Sequence, residues 1–138
     1  MDGENKRSHL NMIQQIITRM GNNSFSLKGW SVGIMIAIYA FAGKNEHKAV
    51  IVTLIPLIVF WFLDTYYLML ERKFRELYNE VRLKKEDDID FDMNFNNIKI
   101  SMKDIKKYGF VNIFFSKTIL PFYLVCIITT LIIYLLKF

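Results

Sequence analysis

The sequence predicts an all-α membrane protein with three transmembrane helices, a cytoplasmic helical stalk and a short strand-like segment. Three observations lead there. Of 138 residues, 53% are hydrophobic and 15% aromatic, against roughly 45–50% apolar residues in an ordinary globular protein. Charged residues are absent from 29–43, 49–63 and 118–136, and they crowd into 71–107. Lipid selects for such segregation, because a charge near the bilayer centre costs about 2.5–3.5 kcal/mol on insertion scales. Finally, Lys and Arg number four in residues 1–28, two in 44–48 and eleven in 71–117. By the positive-inside tendency this puts the N-terminus and the middle segment in the cytoplasm, with the short turn and the C-terminus outside.

Taken in order, residues 1–23 form an amphipathic cytoplasmic helix. Leu10, Ile13, Ile17 and Met20 supply the i, i+3, i+7 face, with Ser8 as the N-cap. At Gly21-Asn22-Asn23-Ser24 the helix either breaks or passes into the membrane. Residues 24–70 form a transmembrane hairpin with spans at about 24–43 and 49–70, joined by the tight turn Lys44-Asn45-Glu46-His47-Lys48. The first span reaches the necessary length of about twenty residues only if Lys28 snorkels towards water. Pro56 removes one backbone donor inside the second span and predicts a kink. Phe74, Leu77, Tyr78 and Val81 continue the helical spacing beyond Leu70, so the second span and the stalk read as one helix ending near Lys84 and Lys85.

In the rest of the middle segment, which spans 71–117, Ile89, Phe91, Met93 and Phe95 alternate with Asp90, Asp92, Asn94 and Asn96. This is the period of a strand, which must pair, for instance with 98–100, or lie extended against the stalk or the membrane surface. Ser101 and Asp104 have capping-box spacing for a short helix. Residues 118–138 form the third transmembrane helix, with Pro121 in its tolerated first turn. No secretory signal is evident, since no A-x-A-like site follows Gly43.

Two charges fall within the first two spans. Lys28 lies 18 residues before Glu46 and Asp64 lies 18 after it, so at about 1.5 Å per residue they reach equal depth and pair across the hairpin. Trp30, Trp61, Tyr66 and Tyr67 fall at similar depth and predict an interface belt. Asp64 as part of an ion or proton path is the functional alternative. The same centring sets the face of 10–20 against 72–82 as a short antiparallel coil. The alternative is a helix lying in the headgroup plane.

Several chemistries are set aside. The net charge of +5 sits beside apolar segments rather than in a stripe interleaved with stacking aromatics, which points to a lipid bilayer rather than to direct nucleic-acid binding. Counting from Asp88, a calcium loop needs Gly and Glu where Met93 and Lys99 stand, so no metal is expected and no cofactor. His9 and His47 are isolated, Cys126 lies within the last apolar run, and no nucleophile-elbow, phosphate-loop or dinucleotide pattern occurs. The chain is expected not to be an enzyme. For a small anionic ligand, the cytoplasmic contacts would be Arg72, Arg75, Arg82, Lys84 and Lys85, or Lys103, Lys106 and Lys107, all of which also suit lipid headgroups.

The runs 23–31 (Asn-Ser-Phe-Ser-Leu-Lys-Gly-Trp-Ser) and 60–68 (Phe-Trp-Phe-Leu-Asp-Thr-Tyr-Tyr-Leu), continuing through Glu71-Arg72, Phe74-Arg75 and Leu77-Tyr78, resemble a group of small bacterial membrane proteins. More loosely they resemble the SLATT class of two-span effectors. That resemblance covers about residues 8–82, and the third span lies outside its two-span pattern. It implies a bacterial inner-membrane effector of nucleotide-signalled phage defence, which disrupts the membrane when a cytoplasmic nucleotide ligand or protein partner triggers it. A homo-oligomer is expected on other grounds, since three spans with one ion pair and no polar lining cannot enclose an aqueous path. A membrane anchor or adaptor for a soluble partner, and a small channel or transporter, are the alternatives.

Overall fold

A single 38-residue helix, α1 (Glu4–Phe41), carries both the amphipathic segment and the first apolar run. At about 1.5 Å per residue it is nearly twice as long as a bilayer's hydrocarbon core is thick. The computed structural model describes residues 3–41, 47–95 and 108–136. Among them every regular element is helical: after α1 come α2 (His47–Val52), α3 (Leu54–Val81), a single 3₁₀ turn at Glu86–Asp88, α4 (Phe110–Phe114) and α5 (Leu120–Leu136). The pair 98–100 and the capping box at Ser101 and Asp104 lie outside the described residues.

Gly21-Asn22-Asn23-Ser24 does not break α1, because tertiary partners outweigh weak local propensity there. Ser24 is buried and hydrogen-bonds to Asp64 of α3, and a Cβ on Gly21 would meet Glu71 at 3.7 Å. The helix also starts earlier than Ser8. Gly3 turns the chain with φ +99°, and the Glu86 carboxylate accepts from the backbone N–H of Asn5 (2.8 Å) and Lys6 (3.3 Å). This cap comes from eighty residues away, where no local signal could announce it.

The second helical stretch is interrupted once. Pro56 leaves the Val52 carbonyl without its usual donor, and the chain makes a one-residue turn at Thr53. The Thr53 amide and hydroxyl both donate to the Val50 carbonyl, at 3.2 and 2.6 Å. Helix begins again at His47, so His47 and Lys48 belong to α2 rather than to a turn. At the other end α3 stops at Val81, short of Lys84 and Lys85, where the Arg82 N–H donates to Tyr78.

The predicted strand is not one. In 89–94 the acidic and amide side chains that alternate with the apolar ones bond locally, the N–H of Asp92 donating to Asp90 and that of Asn94 to Asp92, at 3.1 and 2.8 Å. Such Asx turns compete with a ladder. Phe91 takes φ +54°, which turns the chain again. The segment lies against the stalk, where Ile89 and Met93 pack on a cluster of Ile13, Ile17, Leu77 and Val81. That cluster joins the first part of α1 to the last part of α3, so the N-terminal helix is one side of an antiparallel coil.

The apolar ends of the helices form a second cluster, with Met35, Leu57, Trp61, Leu68, Ile113, Ile119, Tyr123 and Cys126 at its centre. Pro121 stands in the first turn of α5, after a break at 115–119 that brings α4 under α3. Two helical stretches, Glu4–Phe41 and Val50–Val81, are long and apolar enough to cross a membrane, whereas α5 is shorter, at 17 residues. Among the described residues, length and apolarity therefore support two spans, and they do not show the third.

Ile13 has no exposed surface and sits between the two helices of the coil. Ile13→Ala should destabilise the coil by about 2–5 kcal/mol, and Met12→Ala, at an exposed position, by little. Hydrogen exchange of the amides around 10–17 and 74–81 measures both.

Candidate functional site

The most constrained polar group is the Asp64 carboxylate. It lies on the face of α3 that meets α1, and it has 0% exposure. Helical spacing puts Ser24, Lys28 and Ser31 on one face of α1, at i, i+4 and i+7. The Ser24 hydroxyl donates to Asp64 Oδ1. The Lys28 ammonium lies 2.5 Å from Asp64 Oδ2 and donates also to Ser24 Oγ at 3.0 Å. Tyr123 brings α5 to the same place. Its hydroxyl is buried beside Ser31 and Asp64, yet no hydrogen bond of good geometry forms among the described residues. The neighbouring Ser31 and Thr65 hydroxyls turn back to the carbonyls of Leu27 and Trp61, at 2.7 and 2.8 Å.

This arrangement is a closed ion pair with a polar surround. A cation reaching Asp64 would have to displace the Lys28 ammonium, whose side chain is 22% exposed and so touches the outside. Beyond the pair, the next polar contact between α1 and α5 is Tyr39 Oη to Thr130 Oγ1 at 2.6 Å. Met35, Leu57 and Cys126 fill the space between. Among the described residues, one copy therefore offers no continuous polar path from Asp64 to the far end of α1.

The predicted belt divides. Trp61 is 8% exposed and belongs to the core, stacked between Phe114 (4.2 Å) and Tyr123 (5.4 Å), with its indole N–H donating to the Phe114 carbonyl at 3.1 Å. Its partners lie fifty and sixty residues on, beyond the reach of a depth count. Trp30, by contrast, is 63% exposed, and Tyr66 is exposed with its ring edge-on to Tyr67.

The predicted ligand contacts do not converge. Arg75 binds Glu71 through two nitrogens, at 2.7 and 2.9 Å, and Lys84 binds Asp90 at 2.9 Å. The Lys84 ammonium holds the Asp90 carboxyl below its ordinary pKa. Arg72 also has an interaction partner, while Arg82 and Lys85 are exposed. Lys103, Lys106 and Lys107 lie outside the described residues. No group of three His, Cys, Asp or Glu side chains among the described residues is placed to hold a metal.

What local pattern reading missed is a clasp at the far end of the coil. The Lys6 ammonium donates to the Lys84 carbonyl at 2.8 Å, and Glu86 caps α1. His9, isolated in sequence, is fully buried; its Nε2 donates to the Asp92 carbonyl at 3.1 Å and its ring lies 5.4 Å from that of Phe91. Phe95 packs edge-on against Phe74 beneath the Lys73 ammonium. The signal available in the sequence is a histidine one turn before Ile13 on the amphipathic face.

Lys28→Met would leave a fully buried carboxylate uncompensated and should cost about 3–5 kcal/mol. Asp64→Asn leaves an ammonium that can still reach water, and should cost less. The double mutant should retain more folded, detergent-extractable protein than Lys28→Met alone. Additive losses in thermal midpoint would instead mean that the two charges are energetically independent.

No protein-family model, no curated protein and no solved structure matches this chain.

Proposed function

We propose that this chain is a three-span protein of the bacterial inner membrane, with its N-terminus cytoplasmic and its C-terminus outside. It acts as a non-enzymatic effector of a defence system, self-associating and perturbing the bilayer on a cytoplasmic trigger. The observation that carries this reading is the continuity of α1 and α3 from an apolar helical cluster into a charged coil. A stiff pair of helices passes a displacement at the clasp on to the spans. The trigger is a nucleotide or a soluble protein that reaches the clasp, beside the exposed Arg82 and Lys85.

Self-association follows from the closed interior. Among the described residues one copy offers no continuous polar path, so a conducting or disruptive state requires contacts between copies. An adaptor that anchors a soluble partner is the second reading. It is favoured by the polar groove of about 340 Å³ along the coil, which Gln14, Arg75, Tyr78 and Asn79 line.

Expression in a bacterial host should depolarise the inner membrane, as read by a potential-sensitive dye, while the Lys28→Met chain at matched abundance should not. Unchanged potential together with stoichiometric recovery of one soluble protein would replace the effector reading by the adaptor. The orientation has its own check: reporters fused at Lys44 and at Phe138 should both be active outside the cytoplasm, and a cytoplasmic signal at either would overturn the topology.

A further inference from the structure

Beside the Asp64 pair, α5 packs on α2 and α3 and meets α1 through Met35 and Tyr39, leaving a gap between the outer faces of α1 and α5. The gap is a cleft of about 410 Å³, lined by Val32, Ile36 and Tyr39 of α1 and by Phe122, Val125 and Ile133 of α5. Its polar atoms are spent within its own walls. Tyr39 Oη meets Thr130 Oγ1, Thr130 donates to the Cys126 carbonyl at 2.9 Å, and Thr129 donates to the Val125 carbonyl at 2.8 Å. An occupant is offered hydrocarbon and nothing else.

Two contacts set the register of the walls. Ser31 faces Tyr123 and, further along, Tyr39 bonds to Thr130, so α1 and α5 run parallel at nearly equal rise. Followed back from these contacts, Lys28 and Lys117 lie at the same end of the cleft. Lys28 is already committed to Asp64. Lys117 is exposed and makes no ion pair among the described residues. From Phe122 to Ile133 the cleft runs for about 16 Å at helical rise, half of a 30 Å hydrocarbon core. It thus has the length of one leaflet, and the exposed Lys117 precedes its Phe122 end by five residues of chain.

We infer that this cleft is a site for one acyl chain of an anionic phospholipid, drawn from the leaflet on the Lys117 side, with its phosphate against Lys117. A helix from a second copy does not fit: it measures about 10–12 Å across with side chains, and the Tyr39–Thr130 hydrogen bond ties the two walls together within side-chain reach. The inference rests on the membrane placement proposed above, which the reporter fusions test independently.

The test uses the full chain in detergent, titrated with phosphatidylglycerol or phosphatidylcholine and read by native mass spectrometry. One phosphatidylglycerol should remain bound per chain. Ile36→Trp fills the cleft from an exposed position and should abolish retention of either lipid. Ile128→Trp, exposed on α5 but outside the lining, should retain lipid as the wild type does. Lys117→Gln should weaken phosphatidylglycerol about fivefold, the worth of one basic residue at an anionic surface, and leave phosphatidylcholine unchanged. Undiminished retention by Ile36→Trp would show annular lipid only, and equal affinity for the two lipids would overturn the headgroup assignment.

Discussion

The Asp64 carboxylate has no exposed surface, and everything that meets it comes from another helix. Ser24 and Lys28 reach it from α1, and Tyr123 lies beside it from α5. A carboxylate stripped of water costs several kcal/mol unless it is paired and hydrogen-bonded. The three helices can therefore close only in the register that delivers those groups. A slide of α1 by one turn would take Ser24 off the carboxylate and put Gly21 in its place in one direction, or the longer Lys28 in the other. Apolar packing alone tolerates such slides, because one Ile or Leu substitutes readily for another along a helix face.

The register matters because the two ends of the α1–α3 pair are held by different physics. In the coil, Ile13, Ile17, Leu77 and Val81 are withdrawn from water, and each contributes about 1.5–3 kcal/mol of hydrophobic stabilisation. At the apolar end, on the proposed placement, the competing solvent is lipid, and burying Leu57 or Met35 against a neighbour gains little over burying it in acyl chains. Close packing, the Trp61 stack and interhelical polar contacts then supply the association. Asp64 stands between the two regimes, with Lys28 only partly covered. The ammonium can stay near water while the carboxylate cannot, and an ion pair at that boundary specifies register without stranding a second charge.

The parts of this fold that could be read from sequence are those governed by spacing along a single helix. The faces of 10–20 and 72–82, and the equal distances of Lys28 and Asp64 from Glu46, need only a rise of 1.5 Å and a period of 3.6. What spacing could not supply are the long-range substitutions for local signals. Glu86 replaces Ser8 as the cap of α1, Asp64 holds Ser24 in helix where the glycine and asparagines favour a break, and Phe114 and Tyr123 draw Trp61 inward from the belt. The alternation in 89–95 misled for a related reason. Period two is necessary for a strand, but aspartates at every second position also satisfy their own backbone, and the described chain prefers that.

The unequal exposure of the two ends bears on where a trigger would act. Around the buried His9, the clasp is an assembly of exposed or half-exposed contacts: an amino group on a carbonyl, a carboxylate on two helix N–H groups, and the Lys84–Asp90 pair. Hydrogen bonds of this kind contribute about 0.5–1.5 kcal/mol each, and an exposed ion pair contributes about 0–1. Separating Lys28 from Asp64 leaves a buried charge and costs about 3–5 kcal/mol. A ligand at the clasp would meet these water-accessible contacts one by one, while the buried pair holds the helices in register as a single unit. The Phe91 backbone, held with φ +54°, adds strain on the same side of the balance. On the proposed function, a chain built this way yields first at the clasp and last at Asp64, the order that passing a trigger on to the apolar helices would require.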